Sequence, residues 1–158
     1  MVDRLTKERR SWLMARVHSK NTSPELRVRS TAHAMGLRFR LHVRGLPGKP
    51  DLVFPKYRTV VFVHGCFWHR HPGCPKASTP KTDTKTWLAK FERNVERDCE
   101  NRKALIELGW RVEIIWECES KSLQALRDRL QQIFPDKMKT RPSETNSVIH
   151  GDHSNNQN

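Results

Sequence analysis

Long apolar runs are missing from this chain of 158 residues. Stretches such as Leu52-Val53-Phe54 and Val60-Val61-Phe62-Val63 end within a few positions, whereas a bilayer-spanning helix needs about 20 apolar residues. A helical membrane span is therefore excluded. The start, Met1 to Lys20, is basic and has no continuous apolar segment, so no secretory signal is expected and the chain should be soluble and intracellular. Acid is scarce as well: 17 Asp and Glu stand against 30 Lys and Arg, a net charge of +13. Cysteine is limited to four residues, too few for a disulfide-stapled secreted scaffold of this length and more in keeping with metal or thiol chemistry. No internal repeat is present.

The surplus of positive charge is unevenly placed. Residues 1–44 hold eleven Lys or Arg and three acids, a surplus of eight, and residues 136–158 hold three of each sign. The field thus belongs to the N-terminal arm and the folded body, which favours a polyanion such as nucleic acid. The charge alone also fits a basic protein with no such partner. The pattern divides the chain into a basic arm over 1–21, one domain over 22–135 and a polar tail over 136–158 without periodicity, expected to be disordered. A short helix around Ser11–Val17 is expected within the arm.

Thr22 or Ser23 can cap a helix that carries Pro24 in its first turn, with Val28, Thr31, Ala32 and Met35 on one face and Gly36 at its end. Leu37 to Val43, Asp51 to Phe54 and Thr59 to His64 are expected as three strands of an antiparallel meander, the last fully buried. A long irregular stretch follows over 65–85, of a length usually tied to function. A helix over 86–108 should turn Leu88, Phe91, Val95, Leu105 and Leu108 inward. Arg111 to Trp116 should then form a strand parallel to the earlier one through a right-handed crossover. A last helix should bury Leu123, Leu126, Leu130 and Ile133 before Pro135. The fold class is α/β, a small mixed sheet with helices on its faces.

Four groups of residues carry chemistry. Pro50-Asp51 on one strand and Phe62-Val63-His64 on its neighbour reach the same sheet end. A carboxylate, a backbone carbonyl and water there suit Mg²⁺, which a phosphodiester nuclease uses to polarise phosphate and to generate hydroxide. This is the outline of a restriction-endonuclease-like site, although the usual Asp/Glu-x-Lys is absent and Phe62-Val63-His64 stands in its place. Asp51 could equally be a turn carboxylate. Second, Cys66-x₄-His71-x₂-Cys74, with Cys118 after the later strand, has spacing workable for a tetrahedral zinc site. His69 or Cys99 could replace one ligand, although Cys99 reads as a packing thiol. Third, Phe67 and Trp68, in a loop expected to be exposed, and Trp87 could wedge between base pairs; each could instead fill the core. Fourth, His64 and His69 could act as general base or phosphate ligand. Glu25 completes Thr22-x-x-Glu25, a capping box, or stands behind the metal site.

Taken together, these residues resemble the very-short-patch-repair (Vsr) mismatch endonucleases of bacteria. The resemblance runs from about Arg10 to Pro135 and rests on Asn21-Thr22-x-Pro24-Glu25, Leu46-Pro47-Gly48-Lys49-Pro50-Asp51, Val63-His64-Gly65-Cys66-Phe67-Trp68-His69, Asn94-Val95-Glu96-Arg97-Asp98, Leu108-Gly109-Trp110-Arg111-Val112 and Trp116-Glu117-Cys118. It implies a restriction-endonuclease-like core of the PD-(D/E)XK superfamily with a structural zinc. The implied activity is Mg²⁺-dependent nicking of double-stranded DNA 5′ to the mispaired T of a T:G mismatch left by deamination of 5-methylcytosine. By the same resemblance Asp51 and the Val63 main-chain carbonyl hold Mg²⁺, and Asp51, His64, His69 and Glu25 are catalytic. Cys66, His71, Cys74 and Cys118 hold Zn²⁺. Phe67, Trp68 and Trp87 intercalate, Asn94 and Arg97 contact DNA, and the arm clamps over the duplex. Mismatch-repair proteins and a resynthesising DNA polymerase are the implied protein partners of a cytoplasmic, nucleoid-associated monomer.

Three features depart from the family, the first being that the tail over 136–158 matches nothing in it. Val63 stands where it often has Thr, and His71-Pro72-Gly73-Cys74 is one residue longer than its usual spacing. The competing functions are a zinc-stapled DNA-binding module without catalysis and a related nuclease of other specificity.

Overall fold

The computed structural model describes residues 6–15 and 20–136. The tail expected over 136–158, apart from Asp136, and the parts of the basic arm at 1–5 and 16–19, Val17 among them, lie outside the described residues. Helix α1 spans Lys7–Ala15, earlier than expected, and α2 spans Ser23–Ala34. Strands β1 (Leu52–Phe54) and β2 (Thr59–His64) follow, then α3 (Thr84–Glu107), β3 (Arg111–Trp116) and α4 (Leu123–Ile133). Among the described residues no helix is long and apolar enough to cross a membrane.

The sheet has the order β1-β2-β3. β1 runs antiparallel to β2, with Leu52 opposite Val61, and β2 runs parallel to β3, with His64 opposite Trp116. The continuous β-branched and aromatic run of β2 is the central strand, as such a run requires when both faces are covered. α2 and α4 cover one face, where Val28, Ala32, Leu52, Phe54, Val61, Ile115, Leu126 and Leu130 pack. α3 covers the other through Leu105, against Val53, Val60 and Val112.

Three expectations are corrected. Leu37 to Val43 is not a strand; its one contact with the sheet is an antiparallel bridge from Arg40 to Val53. Leu37 is buried and Phe39 partly so, but His42 takes a left-handed φ of 53° that breaks the extended run, and Leu41 is exposed. In α3 the inward residues are Trp87, Phe91 and Leu105, and Leu88, Val95 and Leu108 face solvent. Leu123 is also exposed, whereas Leu126, Leu130 and Ile133 are buried as expected.

Candidate active site and metal-ligating cluster

Asp51 stands one residue before β1. Its N–H extends the ladder by donating to the Val61 carbonyl at 3.1 Å. β1 begins only at Leu52, so the next N–H on that edge of β2, that of Val63, has no strand partner there. It donates instead to Asp51 Oδ2 at 2.7 Å. In an antiparallel ladder a residue's N–H and C=O leave the strand on the same edge, so the Val63 carbonyl belongs to the Asp51 side. Burial pushes the Asp51 carboxyl up to about 6, against the lowering effect of the Val63 N–H; Glu25 pushes it further up, and Arg29 and His69 oppose the rise. A half-buried carboxylate with a penalty on its charge, beside a carbonyl, is a donor set that a divalent cation would relieve.

Glu25 is buried in the first turn of α2. It accepts from the Thr22 hydroxyl at 2.9 Å and from the Asn21 N–H at 2.9 Å, and its own N–H reaches Thr22 Oγ1 at 3.5 Å. The capping box therefore forms. The same carboxylate pairs with Arg29 at 3.1 Å and acts electrostatically on Asp51, so capping and site placement coincide in one residue.

His64 ends β2, nearly buried. Its ring stacks on that of His69, with centroids 3.8 Å apart and planes 11° apart. Burial, and then the charge of His69, push His64 down to about 4. His69 Nδ1 meets Asp98 Oδ2 at 2.5 Å. Burial raises the Asp98 carboxyl, but the hydrogen bond and charge of His69 outweigh it and hold Asp98 below its ordinary range. Asp98 was missed as a site residue from sequence; its signal lay in α3, where Asn94 and Asp98 are one turn apart and share a face. Asn94 Nδ2 donates to the Trp68 carbonyl at 3.3 Å, so this face braces both the histidine and the aromatic loop. Arg97 is largely exposed, 4.0 Å from Asp98.

Cys66, His71, Cys74 and Cys118 converge, with one donor atom from each lying within 4.8 Å of the others. His71 Nδ1 is 3.3 Å from Cys118 Sγ and 3.7 Å from Cys66 Sγ. The parallel register that sets His64 opposite Trp116 delivers Cys118 to the loop. All three cysteines are free, and burial pushes the Cys66 thiol up to about 11. Three thiols and an imidazole at this separation fit one tetrahedral zinc, whose charge would hold them as thiolates. The two alternative ligands fall elsewhere: His69 is engaged by Asp98, and Cys99 is exposed on α3 rather than packed.

The aromatic loop is less open than expected. Phe67, Trp68, Trp87 and Phe91 form one cluster, with centroid separations of 5.1 Å between Phe67 and Phe91 and 5.8 Å between Trp68 and Trp87. Phe67 and Trp68 are half-buried and Trp87 is buried. Arg70 covers the far side, 4.3 Å above the Phe91 ring. Of the three wedge candidates, Trp68 lines the main cleft.

That cleft, of about 1440 Å³, contains Glu25, Asp51, Val63, His64, His69 and Asp98, with Arg29, Arg44, Lys49, Arg97 and Arg102 around them. Buried and half-buried carboxylates and histidines beside mostly exposed cations define a class: a phosphodiester-cleaving nuclease on an α/β sheet. The family model described as DNA mismatch endonuclease Vsr matches residues 2–76. The chain is 53% identical over 134 residues to the type II nicking enzyme V.XorIIP of Xanthomonas oryzae pv. oryzae, covering 85% of this chain and 98% of that protein. It is 44% identical over 133 residues to the type II nicking enzyme V.NmeAIP of Neisseria meningitidis, covering 84% and 94%. It is 43% identical over 137 residues to the DNA mismatch endonuclease Vsr of Escherichia coli, covering 84% and 87%. The chain belongs to the Vsr family of DNA mismatch endonucleases. It is an endonuclease, and the family implies a restriction-endonuclease-like fold and a divalent metal.

Proposed function

We propose that this endonuclease nicks double-stranded DNA 5′ to the mispaired T of a T:G mismatch. One observation carries the cleavage chemistry of this reading: a half-buried carboxylate just before β1, Asp51, shares a basic cleft with two stacked histidines, one of them backed by Asp98. Asp51 and the Val63 carbonyl would hold Mg²⁺, and Cys66, His71, Cys74 and Cys118 would hold zinc. Mg²⁺, when bound, polarises a phosphate and lowers the pKa of water.

The chain's own residues do the rest. Asp98 holds the proton of His69 at Nδ1, which leaves Nε2 to accept one from the attacking water. His64, kept neutral by burial, can donate one hydrogen bond to a phosphate oxygen while limiting the rotation of the His69 ring. Glu25 fixes the start of α2 and can accept from water beside Asp51. Trp68 would stack on the mispaired step with Phe67 and Trp87 packed behind it, and Asn94 and Arg97 would contact the DNA. Residues 1–21 would clamp the duplex, and a repair polymerase and mismatch-repair proteins would act with the enzyme in the cytoplasm.

The test is a panel of duplexes carrying each mismatch, and the matched pair, assayed for nicking with and without Mg²⁺. Nicking confined to the T strand of T:G and dependent on Mg²⁺ is expected. Equal cutting of matched DNA, or cutting in chelator, would overturn the assignment.

A further inference from the structure

The stretch from Leu37 to Pro50 contains no acid, although it carries Arg38, Arg40, Arg44 and Lys49. Its second half is folded back on itself, with left-handed φ values at His42 (53°), Gly45 (84°), Gly48 (70°) and Lys49 (52°). Gly48 pins it to α3: a Cβ there would lie 2.9 Å from Asn101 Cβ, a contact that neither segment could absorb without moving backbone. Asn101 falls on the same face of α3 as Asn94 and Asp98, one further turn along. One helix face therefore braces the aromatic loop, His69 and the loop that leads into Asp51.

Arg44 and Lys49 on this loop, and Arg102 beside Asn101, are exposed and line the cleft. Among the described residues none of the three has a carboxylate partner. Like charges gathered on one wall without counter-charge repel one another, a cost that a polyanion removes. The three are exposed, whereas Asp51 is half-buried and His64 buried, so these cations sit at the rim of the cleft.

We propose that the 42–49 loop and Arg102 form a phosphate-backbone grip on duplex DNA flanking the scissile site. The inference rests on the DNA-nicking reading above and adds a second anchoring surface to it. The contacts position the duplex without reading bases, because they come from long exposed cations and not from a shaped donor pattern.

Salt-dependent binding tests this. The probes are labelled duplexes with one T:G pair or none, without added Mg²⁺. Each phosphate contact contributes about 0.9 to the slope of log K against log salt. Arg44→Gln/Lys49→Gln/Arg102→Gln should lower the slope by about 2 to 3 on both duplexes. A control that removes the same charge elsewhere, Arg93→Gln/Lys103→Gln/Arg127→Gln, should leave it near wild type. Arg44→Gln alone should lower it by about 1, which covers the case of a poorly folded triple variant. Shortening the duplex from one end, but not the other, should abolish the difference between wild type and the cleft variant. An unchanged slope in the cleft variants, an equal fall in the control, or insensitivity to trimming at both ends would overturn the proposal. Failure of the nicking reading is separate: wild-type protein would leave T:G duplex uncut whatever the slopes.

Discussion

The His64 ring lies flat on the His69 ring, 3.8 Å between centroids, and only His69 of the two is hydrogen-bonded to a carboxylate, that of Asp98. Two imidazolium rings cannot share a face at this distance without strong repulsion, so the pair takes up at most one proton beyond its neutral state. Burial and the charge of His69 assign it away from His64, whose folded pKa falls from 6.5 to about 4. A group with a depressed cationic pKa withholds a proton that the unfolded chain would bind. Its effect is therefore a loss of stability as pH drops from 6.5 toward about 4. Imidazole NMR should show His64 neutral at pH 6.5, and His64→Gln should flatten the acid limb of the stability curve. A His64 ring that titrates near 6.5 would contradict the arrangement.

Asp51 has the opposite dependence. Its folded pKa is raised from 3.8 to about 6, so the contribution is fully present below 3.8 and is lost as pH rises through about 6. Asp51→Asn keeps an acceptor for the Val63 N–H and removes the buried charge. In metal-free buffer the variant should be more stable than wild type at neutral pH by about 2 kcal/mol, with the gap closing at low pH. Added Mg²⁺ should raise the melting temperature of wild type only, and the variant should not nick. A variant equally stabilised by Mg²⁺ would place the cation elsewhere.

Purified protein should contain about one zinc per chain, because one four-ligand cluster is formed. Cys118→Ser breaks the bridge between β3 and the 66–74 loop and should lower stability by more than about 3 kcal/mol. Chelation should destabilise wild type comparably and the variant little, since both remove the same interaction. Cys99→Ser, exposed on α3, should stay within about 0.5 kcal/mol of wild type. Equal losses from the two cysteine variants would remove the cluster from the account.

Much of this site is legible in the sequence. Asp51, Val63 and His64 flank a turn between two short strands, so local pairing alone brings them together. The Cys66, His71 and Cys74 spacing is also local, and Cys118 follows from a parallel crossover. What was not legible depended on competition between faces. Leu37, Phe39, Leu41 and Val43 alternate like a strand, but the left-handed His42 ends the extension. In α3, Trp87 and Leu88 are adjacent candidates for the buried face, and the larger aromatic wins it, which turns Leu88 and Val95 outward. Asp98 belongs to the Asn94–Asp98 stretch that carries the resemblance, but its role is not legible there, because its partner His69 is 29 positions away in the chain.

Gly48→Ala should show how tightly the Asp51 loop is fixed. The substitution places a Cβ at positive φ and 2.9 Å from Asn101 Cβ. A loss of about 2 kcal/mol is expected from backbone strain and overlap together. Asn101→Gly carries its own helix-interior cost, but it removes the overlap, so the Gly48→Ala cost should be smaller in an Asn101→Gly background than in wild type. An equal cost in both backgrounds would mean that the loop is not braced by α3.

The aromatic cluster divides between support and contact. Trp87 is 7% exposed and touches Phe67, Trp68 and Phe91, so Trp87→Ala should cost about 3–5 kcal/mol of stability by leaving a cavity. Trp68 is half-buried and lines the cleft, where its ring can meet a base. Trp68→Ala should therefore cost less stability but reduce the preference for a T:G duplex over a matched one about tenfold, in line with about 1–3 kcal/mol for a base stacked on an aromatic ring. Comparing unfolding curves with competitive binding for the two variants separates the roles. If Trp87→Ala kept its stability and lost discrimination, the buried residue would be the wedge, and the cluster would have to open for the duplex to reach it.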